Sequence, residues 1–224
     1  MKVAALFSGG KDSTLAARLV EEEGHDLRCL VTMRSGNPDS YMFHTVNVEA
    51  AGLQAKAWGK RWVQAWTQGE KERELDDLKA ALEGLPVDGV VSGAIASSYQ
   101  RDRVERVCGE LELTHMSPLW GRGREELLRA VLGEGMKVIF TAVAAQGLDE
   151  SWLGAELDET AVKRLLQLNA EYGVDPCGEG GEYETLVLDA PWFRRKIVVS
   201  KAEKTWDGVS GRYVISEAHL HPKA

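Results

Sequence analysis

The sequence predicts an α/β fold: a doubly wound parallel sheet of about five strands, followed by a smaller C-terminal α+β portion. Three observations lead there. Short apolar runs alternate with helical periods through the first 145 residues. A glycine bend, "SGGKDS", joins the first apolar run to the first helical period. After about residue 145 the pattern changes to an alternating apolar–polar tail containing an Asp-Gly turn. Alternation of strand and helix implies right-handed βαβ crossovers and a parallel sheet covered on both faces. The tail's alternation implies antiparallel strands. The domains expected are 1–145, a nucleotide-type α/β core, and 146–224, a substrate-binding portion.

The elements follow in order. "KVAALF" is short and apolar, as a buried strand requires. "DSTLAARLVEEEG" carries Leu15, Ala16, Leu19 and Val20 at helical spacing and stops at Gly24. "DLRCLVTM" reads as the second strand, "TVNVEAAGLQAKAWG" as a helix, and "RWVQAW" as a third strand. "EKERELDDLKAALEGL" is a charge-laced helix closed by Pro86, and "VDGVVSGAI" is a fourth strand entering another glycine bend. "SYQRDRVERVCGEL" returns to a helical period, with Val104, Val107 and Leu111 on one face. "LTHMSPLW", a helix over "REELLRAVLGEG" and a strand over "MKVIFTAV" complete the first part. Then "DETAVKRLLQLNAEYG" reads as a helix capped by Asp158, ahead of the acidic, glycine-rich "VDPCGEGGEYETLVLDAP".

Composition sets bounds on function. The chain has 224 residues, 44% of them hydrophobic, enough to build a core. Its formal net charge of −8 opposes binding along a nucleic-acid backbone, which needs clustered Lys and Arg, so no nucleic-acid partner is expected. The 3 cysteines, Cys29, Cys108 and Cys177, are widely spaced, which argues against a disulfide framework and for reduced thiols in the cytoplasm. No stretch has the length of a membrane span. The N-terminal apolar run is too short for a secretion signal.

The bend at 8–13 carries the chemistry. In an open parallel sheet, ligands bind beyond the carboxyl ends of the strands. Gly9 and Gly10 permit a tight turn and bring backbone N–H groups close to an anion. The helix start adds unpaired amides and a favourable dipole end. Ser8 and Ser13 offer hydroxyls and Lys11 a point charge, so the stretch suits a phosphate. The bland alternative is an ordinary strand–helix turn. A Walker A loop is excluded, because Ala5 and Asp12 stand where its first glycine and its Ser or Thr belong. Asp12 beside a polyphosphate must either cap the helix or hold Mg²⁺.

"SGGKDS" resembles the signature of the PP-loop ATP pyrophosphatases. That resemblance implies ATP binding, transfer of AMP to a substrate oxygen and release of pyrophosphate, with Lys11 steadying the leaving group. Three further strings narrow it: "SYMFHTVN" (40–47), "GAIASSYQRDRVERVCGELEL" (93–113, followed by "SPLWG") and "CGEGGEYETLVLDAP" (177–191). In this order they resemble the diphthine–ammonia ligase family, over almost the whole chain. The family amidates diphthine on elongation factor 2 to give diphthamide. The implied partners are elongation factor 2 and ammonium, and the implied cofactors are ATP and Mg²⁺. Oligomeric state is open, a homodimer included.

Residue roles follow from position and chemistry. Gly93 and Ala94 end the fourth strand and leave room for a flat ring such as adenine; a plain strand-end turn explains them as well. Met33, at the end of strand two, is a second candidate for adenine, with core packing the commoner use of such a Met. Tyr99, Gln100 and Arg101 lie at the rim end of a helix and are candidates for substrate or phosphate, whereas Arg106 reads as solvated. Glu179, Gly181, Glu182, Tyr183 and Glu184 form an acidic glycine segment, a pattern that is often only an exposed loop. An amidation gives it a task. Ammonium must lose a proton before it attacks, and a carboxylate can bind the cation and accept that proton. Glu182 and Glu184 are assigned that role, and Glu179 a substrate contact. Diphthine carries a trimethylammonium group, which suits an aromatic face, and at least one of Tyr41, Tyr99, Trp120 and Tyr183 is expected to meet it. His44 reads as structural, and His115, His219 and His221 lack metal-binding spacing. No glutaminase segment is evident, which points to free ammonium as nitrogen donor. The rivals are a tRNA-modifying PP-loop enzyme and a non-catalytic nucleotide sensor.

Overall fold

In a computed structural model, residues 1–37, 47–70 and 72–223 are described. They form two compact units, Met1–Gly121 and Arg122–Ala224.

The first unit is the doubly wound sheet. Five parallel strands, β1 (Lys2–Leu6), β2 (Asp26–Ser35), β3 (Arg61–Thr67), β4 (Gly89–Val91) and β5 (Thr114–Met116), stand in the order β3-β2-β1-β4-β5. Helices α1 (Lys11–Glu22), α2 (Ala50–Trp58), α3 (Arg73–Leu82) and α4 (Ser98–Glu110) make the crossovers. β1 is central and Val3, Ala4 and Ala5 are buried, as expected for a strand covered on both faces. On one face Ala4, Cys29, Val31, Met33 and Val90 pack with Leu75, Leu78 and Leu82 of α3 and with Val104, Val107 and Cys108 of α4. On the other, α1 turns Leu15, Ala16, Ala17 and Val20 inward. Leu19, predicted on the same stripe, is half-buried at its edge. The strand order reverses direction between β1 and β4, so the carboxyl ends of these two strands flank the topological switch point.

The second unit holds α5 (Arg124–Gly133), a 3-10 turn (Glu150–Trp152), α6 (Glu159–Tyr172) and an antiparallel sheet. β6 (Lys137–Val143), β7 (Tyr183–Asp189), β8 (Arg195–Trp206) and β9 (Gly211–Pro222) stand in the order β7-β6-β9-β8. Its core gathers Val138, Phe140, Trp152, Leu157, Val162, Leu165 and Val187. Phe140 meets Trp152 edge-on at 5.0 Å and Tyr183 at 5.1 Å. The hairpin turn falls on the Asp-Gly pair: Asp207 Oδ1 accepts the N–H groups of Val209 and Ser210, and Gly208 has φ +98°. Asp158 caps α6, its Oδ1 accepting the Ala161 N–H at 2.7 Å.

Two assignments change. "MKVIFTAV" is β6 of the antiparallel sheet; the fifth parallel strand is the three-residue β5 inside "LTHMSPLW". With β6 goes α5, so the compact units divide at residue 121 and not at 145. Among the described residues, no helix is long and apolar enough to cross a membrane.

Candidate functional site

The bend after β1 is built by three devices. Gly9 has φ +85°, a conformation that strains any residue with a side chain. Gly10 is the N-cap of α1 in extended conformation, with no side-chain cap. Its carbonyl accepts the Thr14 N–H at 3.1 Å and the Thr14 hydroxyl at 2.9 Å, which starts the helix. Ser8 Oγ lies 3.2 Å from Ser13 Oγ and accepts the Gly10 N–H at 3.3 Å. The six residues thus form a closed turn at the amino end of a helix, beyond the carboxyl end of the central strand.

Lys11 is 2% exposed and its Nζ donates to Asp12 Oδ2 at 2.8 Å. A buried ammonium needs a partner, and the neighbouring carboxylate supplies one. In this structure the lysine rests on Asp12. This pair also answers the electrostatic objection to an aspartate in a phosphate cradle. Among the described residues, no group of three or more His, Cys, Asp or Glu is placed to hold a metal. Mg²⁺ commonly takes one or two carboxylates together with phosphate oxygens, and Asp12 fits that pattern.

Gln54 was not anticipated. This residue of α2 is fully buried, and its Nε2 donates to Gly9 O at 2.7 Å. A Cβ on Gly9 would lie 2.2 Å from Gln54 Oε1. The amide fills the space that the glycine leaves. A signal for it existed: Ala50, Ala51, Ala57 and Trp58, three or four positions either side, are buried, so Gln54 is a polar residue on an apolar stripe.

Gly93 serves the same bend from the other side. A Cβ there would sit 2.8 Å from Ser13 N and 2.9 Å from Asp12 C, so the backbone after β4 bears on the first turn of α1. The room left by its missing side chain is filled by protein, not by a ring. Ala94 is buried, and Met33, at 4% exposure, lies in the core beneath α3 and α4. Close packing accounts for these three residues.

At the start of α4, Ser97 caps the helix by accepting the Gln100 N–H. Arg103 lies over the Tyr99 ring at 3.5 Å and donates to Glu72 at 2.7 Å. Arg101 lies over the Trp120 ring at 4.5 Å. Two of the aromatic faces offered for a trimethylammonium group therefore already carry the protein's own cations. Arg106 is exposed, as its sequence setting predicts. Tyr41 and His44 lie outside the described residues.

In the second unit, the acidic segment is a self-bonded loop. Glu182 accepts the Asp175 N–H at 3.1 Å and the Gly180 N–H at 2.8 Å, one on each oxygen. Asp175 in turn accepts the Cys177 N–H at 2.8 Å and pairs with Arg124 at 2.8 Å. Gly181 has φ +84°. Tyr183, expected at the substrate, is 3% exposed; its hydroxyl donates to Pro176 O at 2.6 Å and its ring packs on Phe140. It belongs to the core. Glu184 is half-buried on β7, in register with Ala142 of β6, and Glu179 is half-buried in the loop.

Two family descriptions fit this chain in succession. Residues 1–115 match the diphthamide synthase N-terminal domain and residues 123–220 match the diphthamide synthase C-terminal domain. The chain belongs to the diphthamide synthase family. The break between the two matches contains the division between the compact units. Relatives named diphthine–ammonia ligase include that of Mus musculus, 42% identical over 91% of this chain and 84% of its own length. That of Homo sapiens is 39% identical with the same coverage. The Saccharomyces cerevisiae relative is 34% identical over 87% of this chain, which spans 34% of it. The first match contains the "SGGKDS" bend and the second contains the acidic loop.

Proposed function

We propose that this chain amidates diphthine on elongation factor 2, using ATP and ammonium and releasing AMP and pyrophosphate. Family membership supports the reaction. The observation that carries the assignment of its first step is Lys11: a buried ammonium at the first position of α1, beside the cradle after β1.

The reaction has two halves. A carboxylate is a poor electrophile, so it must first be activated. Its oxygen attacks the α-phosphorus of ATP, the bond to pyrophosphate breaks, and an acyl-adenylate forms. The N–H groups of the first turn of α1 and the Ser8 and Ser13 hydroxyls hold the leaving phosphates. Lys11 shifts from Asp12 toward the charge that develops there. Asp12 would hold Mg²⁺, which when bound neutralises phosphate charge. In the second half, ammonia attacks the acyl carbon and the bond to AMP breaks. Glu184, with Glu179, binds ammonium and takes its proton. Glu182, each of whose oxygens accepts one N–H of its own loop, sets the loop's shape and contributes to the same field. Gln100 and Arg101 are assigned to the substrate. The cytoplasm is the compartment of this work, consistent with three buried cysteines, none of them in a disulfide among the described residues.

The test incubates the chain with ATP, ammonium and diphthine-bearing elongation factor 2. AMP and pyrophosphate should appear together, only when the protein substrate is present. Lys11→Ala should lower their release by about 10²–10³-fold, the usual cost of removing one transition-state donor. Turnover to ADP, or release driven by RNA instead of protein, would overturn the proposal.

A further inference from the structure

Ser92, His115 and Ser117 form a polar cluster at the carboxyl rim of the first sheet. Ser92 Oγ lies 2.9 Å from His115 Nε2 and 3.2 Å from Ser117 Oγ, and Ser117 Oγ lies 3.2 Å from the same nitrogen. Strand register explains the convergence. Val90 stands opposite His115, and residues two apart share a face, so Ser92 and Ser117 continue that row toward the rim. The Ser92 N–H also donates to Met116 O at 2.9 Å. Ser92 is 6% exposed, too buried to rely on water for its hydroxyl.

The next residue is Gly93, whose backbone bears on Asp12 and Ser13. Three contacts in series therefore join His115 to the bend: imidazole to Ser92, Ser92 to Gly93 through the chain, and Gly93 to the first turn of α1. Only the last of them touches the sequence motif that marks the bend, at Asp12 and Ser13.

We infer that the Ser92–His115–Ser117 cluster positions the nucleotide loop, and that His115 is its positioning residue. The inference rests on the reading that this loop binds ATP. With Nε2 unprotonated, one hydroxyl donates to it and the other hydroxyl donates to the first, so each hydrogen has an acceptor. Among the described residues, the charged groups that act on the ring are Glu105 and Arg101, both from α4. Burial lowers the proton affinity of His115 most, Arg101 lowers it further, and Glu105 opposes them. The ring is neutral at neutral pH. A proton on Nε2 turns an acceptor into a donor, reverses the order of the hydroxyls and adds a charge beside Arg101. His115 need not touch the nucleotide; it acts through Ser92.

The test measures ATP binding to the full chain by calorimetry, across pH. At about pH 7.5, Ser92→Ala and His115→Leu should weaken ATP binding by about 3- to 30-fold, the range of coupling carried by a packed network. His115→Gln places an amide near the Nε2 position with no titrating proton. It should bind ATP close to the wild-type level at that pH and lose the weakening that the wild-type chain shows once the pH falls past the lowered folded value of His115, which lies under the ordinary histidine value of about 6.5. If His115→Leu does not fold, Ser92→Ala and His115→Gln decide the matter. Wild-type affinity in Ser92→Ala, or an unchanged acid limb in His115→Gln, would overturn the inference while leaving the loop reading intact. No ATP binding by the wild-type chain would overturn the loop reading itself, and this inference with it.

Discussion

At the scale of single residues, the site depends on what two glycines lack. Gly93→Ala pushes a methyl against the backbone of Ser13 and Asp12, which cannot rotate away as a side chain could. It should cost about 1–3 kcal/mol of stability, as overpacking does, and weaken ATP binding; thermal unfolding and calorimetry measure the two. Tyr183 makes the opposite kind of test. Removing its hydroxyl orphans the Pro176 carbonyl, so Tyr183→Phe should lose about 1 kcal/mol with the KM for diphthine-bearing substrate unchanged. A raised KM would return Tyr183 to the substrate surface. These cases also show which parts of the site were legible in the sequence. Ser8 to Ser13 are consecutive, and local chemistry suffices to mark them. Tyr183 sits among acids and glycines that suggest a surface, yet strand alternation turns its ring into the core beside Phe140. Gln54 could not be tied to Gly9 by any local rule, because 45 residues separate them.

At the scale of elements, caps and turns were readable and the three-residue edge strand β5 was not. The Asp158 cap and the Asp-Gly hairpin turn each act within three residues, so their letters suffice. Asp158→Ala should destabilise the second unit by about 1 kcal/mol through loss of the α6 cap, seen as a lower denaturant midpoint. β5 has three residues and no period to detect. β6 is a run of Val, Ile and Phe that would serve a parallel or an antiparallel sheet alike. Only its partners, β7 and β9, decide which sheet it joins, and these lie 40 or more residues downstream. The acidic loop predicts a divided response: Glu182→Gln weakens acceptors of two backbone N–H groups and should lower both stability and amide formation. Glu184→Gln should slow amide formation while adenylate still forms, as judged by pyrophosphate release.

At the scale of the whole molecule, charge and burial set the response to pH and to thiol reagents. His115 is held below its ordinary proton affinity, chiefly by burial. The unfolded chain therefore takes up a proton near pH 6.5 that the folded chain refuses, and stability should fall as pH drops from about 6.5 toward the lower folded value. His115→Gln should flatten that part of the curve. All three cysteines are buried. Burial, helped by Glu105, pushes Cys108 up to about 11, so it should react with alkylating agents only on unfolding. The two units were legible as a change of pattern, but their border was not, since α5 and β6 continue the alternation of the first unit into the second. The Gln54 amide carries a practical lesson for protein engineering. Transplanting the six letters after β1 into a foreign βα unit would move the atoms without the wedge that shapes them. A graft that hopes to keep the bend must import a piece of the neighbouring helix as well.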